Sequence, residues 1–182
     1  MVSTSRQTRR LALLRAINLG GRNKVPMAEL RALASELGWL DVSTFIASGN
    51  LLFRSDKSDA DCAATLTSAL AERFGFGIDV IVVGASEFRE AVDRHPFADG
   101  DPQRVHLGLC SAPMSDAAAA KLAELAVGNE RIAADGVRLY ADFADGVHSS
   151  KLANRLASVV RPGFVTLRNV ATSRTLADLL AD

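Results

Sequence analysis

The sequence predicts an α+β fold built from two successive βαββαβ units with antiparallel sheets, the ferredoxin-like order, plus connecting and C-terminal helices. Three observations predict it. β-rich and helix-periodic segments follow one another in the same order twice along the 182 residues. Asp135-Gly136 sits between two β-rich runs, the strongest short-range hairpin signal in the chain. Finally, 48% hydrophobic and 23% charged residues make an ordinary folded globular composition.

The first unit is expected over residues 10–84. Leu11 to Ile17 is a short apolar run that reads as a central strand. Pro26 suits the first turn of a helix, and Met27, Leu30, Leu33 and Leu37 recur at helical spacing before Gly38 stops it. Val42 to Ala47 and Leu51 to Arg54 are β-rich and flank Ser48-Gly49-Asn50, a hairpin turn. Ser58, three residues before Asp61, resembles a helix N-cap, after which Cys62, Leu66, Ala69, Leu70 and Phe74 lie along one face. Ile78 to Val83 closes the unit as a strand.

Residues 85–102 connect the units through a helix from about Ser86 to Arg94 and the linker chemistry of Ala98-Asp99-Gly100-Asp101-Pro102. The second unit is expected over residues 103–182. Val105, Leu107 and Leu109 alternate as a strand, and Ser115 caps an alanine-rich helix. Arg131 to Ala134 and Val137 to Asp142 form the hairpin, Ser149 or Ser150 starts a helix, and Phe164 to Leu167 is the last strand. A helix from Thr172 to Leu180 ends the chain. The halves share element order, without a residue-level repeat.

In a βαββαβ sheet, strands one and two run one way and strands three and four the other. The end of strand one, the two–three hairpin and the start of strand four therefore share an edge. In the first unit these are Asn18 to Lys24, Ser48-Gly49-Asn50 and Gly75-Phe76-Gly77. Backbone N–H groups at glycine turns and nearby cations suit an anion. The expected ligand-binding set is Arg15, Asn18, Gly20, Gly21, Arg22, Asn23, Lys24, Ser48, Gly49 and Asn50. In the second unit Ser149, Ser150, Lys151, Arg168 and Asn169 share the opposite edge, and Lys151, Arg168 and Asn169 join the candidate set.

The charge is uneven. Residues 1–31 hold seven basic groups against Glu29, whereas the remainder carries an acidic excess of six. A globally neutral chain is a poor generic nucleic-acid binder, although a basic N-terminal face suits a local one. RNA binding through the sheet face requires exposed aromatics, and the central strands of the first unit offer only Phe53. No apolar run approaches the roughly 20 residues that cross a bilayer, and no signal peptide is recognisable. Cys62 and Cys110 lack a paired spacing, which fits a reducing cytoplasm.

Catalytic and metal-binding patterns are weak. His95, His106 and His148 have no metal-ligand spacing, and neither a metal nor a cofactor is implied. His106 is expected to face solvent or the region between the units. His148 beside Ser149, Ser150 and Lys151 is a poor nucleophile site on sequence adjacency alone. Cys110 at a strand end is the more accessible thiol of the two.

The segment from Leu13 to Arg31, with Ser48-Gly49-Asn50-Leu51-Leu52-Phe53, Pro96-Phe97, Asp145-Gly146, Ser150-Lys151-Leu152 and Arg168-Asn169, resembles a bacterial family catalogued as domain of unknown function 1697. The resemblance implies a two-part α+β protein and no established activity. It departs from the family pattern where Ala16 replaces a usual glycine, and where Val170-Ala171 replace a usual tryptophan and asparagine. The reading that follows is a cytoplasmic protein binding a small anionic ligand, phosphate-bearing or nucleotide-like, at the first edge. The alternatives are a nucleic-acid or protein interaction module using the basic face, and an enzyme of unassigned reaction.

Overall fold

The computed structural model describes residues 7–181 and divides into two units: one runs to Phe88 and includes the terminal segment from Leu179, and the other is Arg89–Asp178. Each unit holds a four-stranded antiparallel sheet.

In the first unit, β1 (Thr8–Leu14) pairs antiparallel with β3 (Asn50–Ser55) and β4 (Val80–Gly84), and β2 (Leu40–Phe45) pairs with β3. The sheet order is β2-β3-β1-β4, the βαββαβ topology. Helices α1 (Met27–Glu36) and α2 (Asp59–Phe74) pack on one face. Leu30, Leu33, Leu66 and Leu70 bury there against Ala12, Leu14, Leu51 and Phe53. Each such leucine contributes about 1.5–3 kcal/mol of burial. Trp39 stacks on Phe53 with ring centroids 3.9 Å apart. Ser58 caps α2 by accepting from Asp61 N at 3.1 Å while its hydroxyl donates to the Asp61 carboxylate. Gly75 ends α2 in the left-handed conformation.

In the second unit, β5 (Val105–Cys110) is flanked by β7 (Arg138–Asp142) and β8 (Val165–Asn169), with β6 (Arg131–Asp135) outside β7. Helices α4 (Asp116–Leu125) and α5 (Lys151–Val159) cover one face and bury Leu122, Leu152 and Leu156 against Leu139, Ala141 and Val165. Ser115 and Ser150 cap α4 and α5 through Ala118 N and Ala153 N. Asp135 and Arg138 pair across a two-residue turn whose Gly136 has φ +59°. Helix α3 (Ala85–Asp93) runs from the first unit into the second, and α6 (Val170–Leu179) follows β8 directly.

Three expectations need correction. β1 starts at Thr8 and ends at Leu14, so Ile17 is buried in the following loop instead of the strand. Asn50 belongs to β3, paired with Phe45. His106 does not face solvent: it is 9% exposed, because β5 is a central strand buried along its whole length. Among the described residues no helix is long and apolar enough to cross a membrane.

The units repeat one local device. In the first, Leu14 N donates to Gly49 O and Arg15 N to Asp79 O, joining the end of β1 to the hairpin and to the approach of β4. In the second, Cys110 N donates to Val137 O and Ser111 N to Phe164 O. The loops that follow differ: residues 15–26 separate β1 from α1, whereas only residues 111–115 separate β5 from α4. A connection as long as the first is uncommon in compact domains unless it has a role of its own.

Candidate functional site

The long loop after β1 is held by its asparagines. Asn18 Nδ2 donates to Val25 O at 3.0 Å and to Ala47 O at 2.8 Å, while its Oδ1 accepts from Val25 N at 2.9 Å. Asn23 Nδ2 donates to Ala16 O at 3.1 Å, and Asn18 N donates to Asn23 O at 3.0 Å. Asn50 is fully buried and donates from Nδ2 to Phe45 O and Ser48 Oγ. These amides replace the backbone partners that a strand or helix would supply. The three asparagines expected to receive a ligand therefore hold the loop and the hairpin in place.

Left-handed backbone is concentrated at this edge. Ala16, Asn18, Gly20, Gly21, Asn23, Ile46 and Gly49 all have positive φ. Gly20 and Gly21 face open space, so their requirement is conformational. Gly49 is different: a Cβ there would lie 2.8 Å from Leu14 Cβ and 2.9 Å from Ile17 Cδ1. It lets the hairpin close on β1.

The cations divide into two groups. Arg15 pairs with Asp79 at 2.9 Å across two loops. Arg10 binds the Asp59 carboxylate and Lys57 O, Arg9 donates to Leu179 O, and Arg31 donates to Thr44 Oγ1. Much of the expected basic face is thus engaged internally, and Arg6 lies outside the described residues. The side chains of Arg22 and Lys24 are exposed and make no hydrogen bond or ion pair among the described residues, while Arg22 N donates to Leu19 O at 3.0 Å. Two large apolar side chains stand at the same edge: Leu19 is 64% exposed and Ile46 51%. The third expected loop enters through Asp79, next to β4, and among the described residues no hydrogen bond joins Gly75-Phe76-Gly77 to the Asn18–Lys24 segment.

In the second unit the loop after β7 and the end of β8 do share the edge where β5 begins. Phe143 N donates to Arg104 O, and Asn169 Nδ2 donates to Gln103 Oε1 at 2.9 Å. Asn169 Oδ1 accepts from Thr172 N at 2.8 Å and so caps the first turn of α6. Arg168 donates to Thr166 Oγ1 and Leu167 O, and burial pulls its guanidinium down to about 10. Lys151 is exposed at the start of α5, without a bond to Arg168 or Asn169 among the described residues. Val170 is 3% exposed and lies in the packed start of α6.

The remaining reactive candidates are also placed by burial. Cys110 is 6% exposed and burial pushes its thiol up to about 11, which removes the thiolate a nucleophile needs. Ser149 donates to Asp145 O and Gly146 O, and Ser150 is the cap of α5, so neither hydroxyl is paired with the exposed His148. Sequence periodicity missed a different polar cluster. His95 accepts from Phe97 N at Nδ1 and meets His106 O at Nε2, while Arg131 bridges Asp99 and Asp142 and lies 4.8 Å from the Phe97 ring centroid. Pro96-Phe97 was its only visible signal.

Comparison with known proteins agrees with this architecture. Among the curated proteins, none matches the chain significantly. A solved structure of a conserved bacterial protein from Streptococcus pneumoniae is similar over 96% of this chain and 99% of its own, with 25% identity and a TM-score of 0.75. The model of the protein family of unknown function DUF1697 matches residues 7–140, which include the whole asparagine-held loop and its hairpin. The chain belongs to the DUF1697 family.

Proposed function

We propose that the protein binds a small anionic, phosphate-bearing ligand at the loop edge of its first sheet. One observation carries this reading: the side chains of Arg22 and Lys24 are without partners among the described residues, on a loop whose own polar side chains fix its backbone. A preorganised loop loses little freedom when a ligand arrives, so two cations on it act with a small entropic cost. Arg22 suits paired phosphate oxygens through its planar fork, and Lys24 adds a compact charge. The glycine turn supports close approach, because Gly20 and Gly21 leave open space where other residues would place a Cβ.

Leu19 and Ile46 favour a second reading, an interaction with a nucleic acid or protein carrying both charge and apolar surface. The two readings separate by ligand size and salt. A thermal-shift series with phosphate, pyrophosphate, nucleotides and single-stranded oligonucleotides distinguishes them through ligand linkage. The small-ligand reading predicts stabilisation by pyrophosphate or a nucleotide at millimolar concentration. Stabilisation by oligonucleotides alone, with a salt slope of about −0.7 per phosphate contact, supports the interaction module instead. No shift with any anion removes both nucleic-acid and small-anion binding at this edge.

A further inference from the structure

The second unit bears a different feature at the equivalent edge. Where the first unit has its long polar loop, the second has an open cleft of about 220 Å³ between the loop after β5, the start of α4, the end of α5 and the approach to β8. We infer that this cleft is a binding site for a small organic monoanion with an apolar body, such as an arylalkyl or branched aliphatic carboxylate.

The lining selects the body. Met114, Val159, Val160 and Phe164 are all half-buried around the cleft, so four large apolar side chains meet water at one concave place. Such a surface is apolar enough to take a body of about ten heavy atoms, and Met114 adapts its shape to the occupant. Cys110 lies among the lining residues with its thiol protonated, which adds a soft, nearly apolar surface.

Charge selects the head. Arg161 is the one formally charged residue of the lining, it is exposed, and it makes no hydrogen bond or ion pair among the described residues. No carboxylate of the lining opposes it. A guanidinium at an apolar cleft binds a carboxylate more strongly than in open water, because the cleft excludes part of the competing solvent.

The walls are formed in advance. Ser111 closes one side twice, with its N–H donating to Phe164 O at 2.8 Å and its Oγ accepting from Phe164 N at 2.9 Å. Gly163 permits this approach, since a Cβ there would lie 2.8 Å from Ser111 Oγ. On the other side Met114 N donates to Gly136 O at 2.9 Å, and Ser115 caps α4. A ligand entering between fixed walls orders few side chains, which favours affinity for a small molecule.

The test titrates the intact protein by calorimetry with 3-phenylpropionate or its neutral analogue 3-phenylpropanol as probe. A ligand of this size binds with submillimolar to millimolar affinity, so about 10 mM probe fills the cleft. Saturable binding of the acid is expected, and the alcohol should need roughly tenfold more for equal occupancy. Ala118→Phe, which fills the cleft from α4, should abolish binding while the circular dichroism and melting temperature remain those of a folded protein. Arg161→Gln should equalise acid and alcohol. Absence of binding by either probe in the unaltered protein overturns the site. Equal affinity for acid and alcohol overturns the monoanion, and binding that persists in folded Ala118→Phe overturns the cleft as its place.

Discussion

Asn18 Nδ2 donates to Ala47 O at 2.8 Å, so one amide joins the loop after β1 to the β2–β3 hairpin, 29 residues further along the chain. The same group holds Val25 from both sides, at its carbonyl and its N–H. Asn18→Asp keeps the size and the acceptor but removes both donors, leaving two carbonyls without partners. Loss of about 2–3 kcal/mol of unfolding free energy is expected from urea denaturation, in keeping with two orphaned acceptors. A change below about 0.5 kcal/mol would mean that water replaces the amide without loss.

Ala16 has φ +55°, the left-handed region that favours glycine. A left-handed alanine costs roughly 1–2 kcal/mol, whereas glycine adds about 0.5–1 kcal/mol of freedom to the unfolded chain. Ala16→Gly should therefore stabilise by roughly 0.5–1 kcal/mol, read as a higher urea midpoint at an unchanged m-value.

Two glycines of the same edge should respond differently to alanine. Gly21→Ala meets only its positive φ, because nothing lies near the added Cβ, and by the same two terms should lose about 0.5–1 kcal/mol. Gly49→Ala adds contact with Leu14 and Ile17 at under 3.0 Å to the same backbone penalty. Its loss should exceed that of Gly21→Ala by about 1–3 kcal/mol in thermal or chemical unfolding.

Acid should destabilise the second unit before ordinary carboxylate titration does. Burial lowers the folded-state values of both His95 and His106 below the usual imidazole value. Geometry agrees for His95, whose Nδ1 accepts from Phe97 N and cannot carry a proton while that bond stands. Arg131 and Arg174 oppose its protonation, and Asp142 favours it. The unfolded chain then binds more protons as pH falls through about 6.5, so stability is full above that value and declines below it. Urea midpoints measured from pH 8 to 5 should fall, and His95→Gln should flatten the slope. A profile that is flat across this range would contradict the neutral, buried assignment.

Much of the architecture was legible because local chemistry and topology agreed. Ser58, Ser115 and Ser150 cap their helices, Gly75 and Gly136 take the conformations their turns demand, and the order βαββαβ places the edge loops together. The candidate edge was visible for the same reason. What each residue does there was not. Asn18, Asn23 and Asn50 look like ligand donors in a sequence, yet their partners are carbonyls that become available only when loops distant in the chain meet. Arg15 meets Asp79 across 64 residues, a pairing that no local pattern encodes. His106 alternates with Val105 and Leu107, which marks an exposed position on a half-buried strand but not on a central strand buried on both faces.

The claim that Arg22 and Lys24 on the asparagine-held loop receive an anion is tested most directly by calorimetric titration with pyrophosphate, comparing the unaltered protein with the Arg22→Gln/Lys24→Gln variant. Neither side chain has a partner among the described residues, so the variant should keep its melting temperature. Saturable binding to the unaltered protein is expected, with at least a roughly tenfold weaker association for the variant, about 1.4 kcal/mol. Absence of binding to the unaltered protein, or equal affinity in the two, would contradict it.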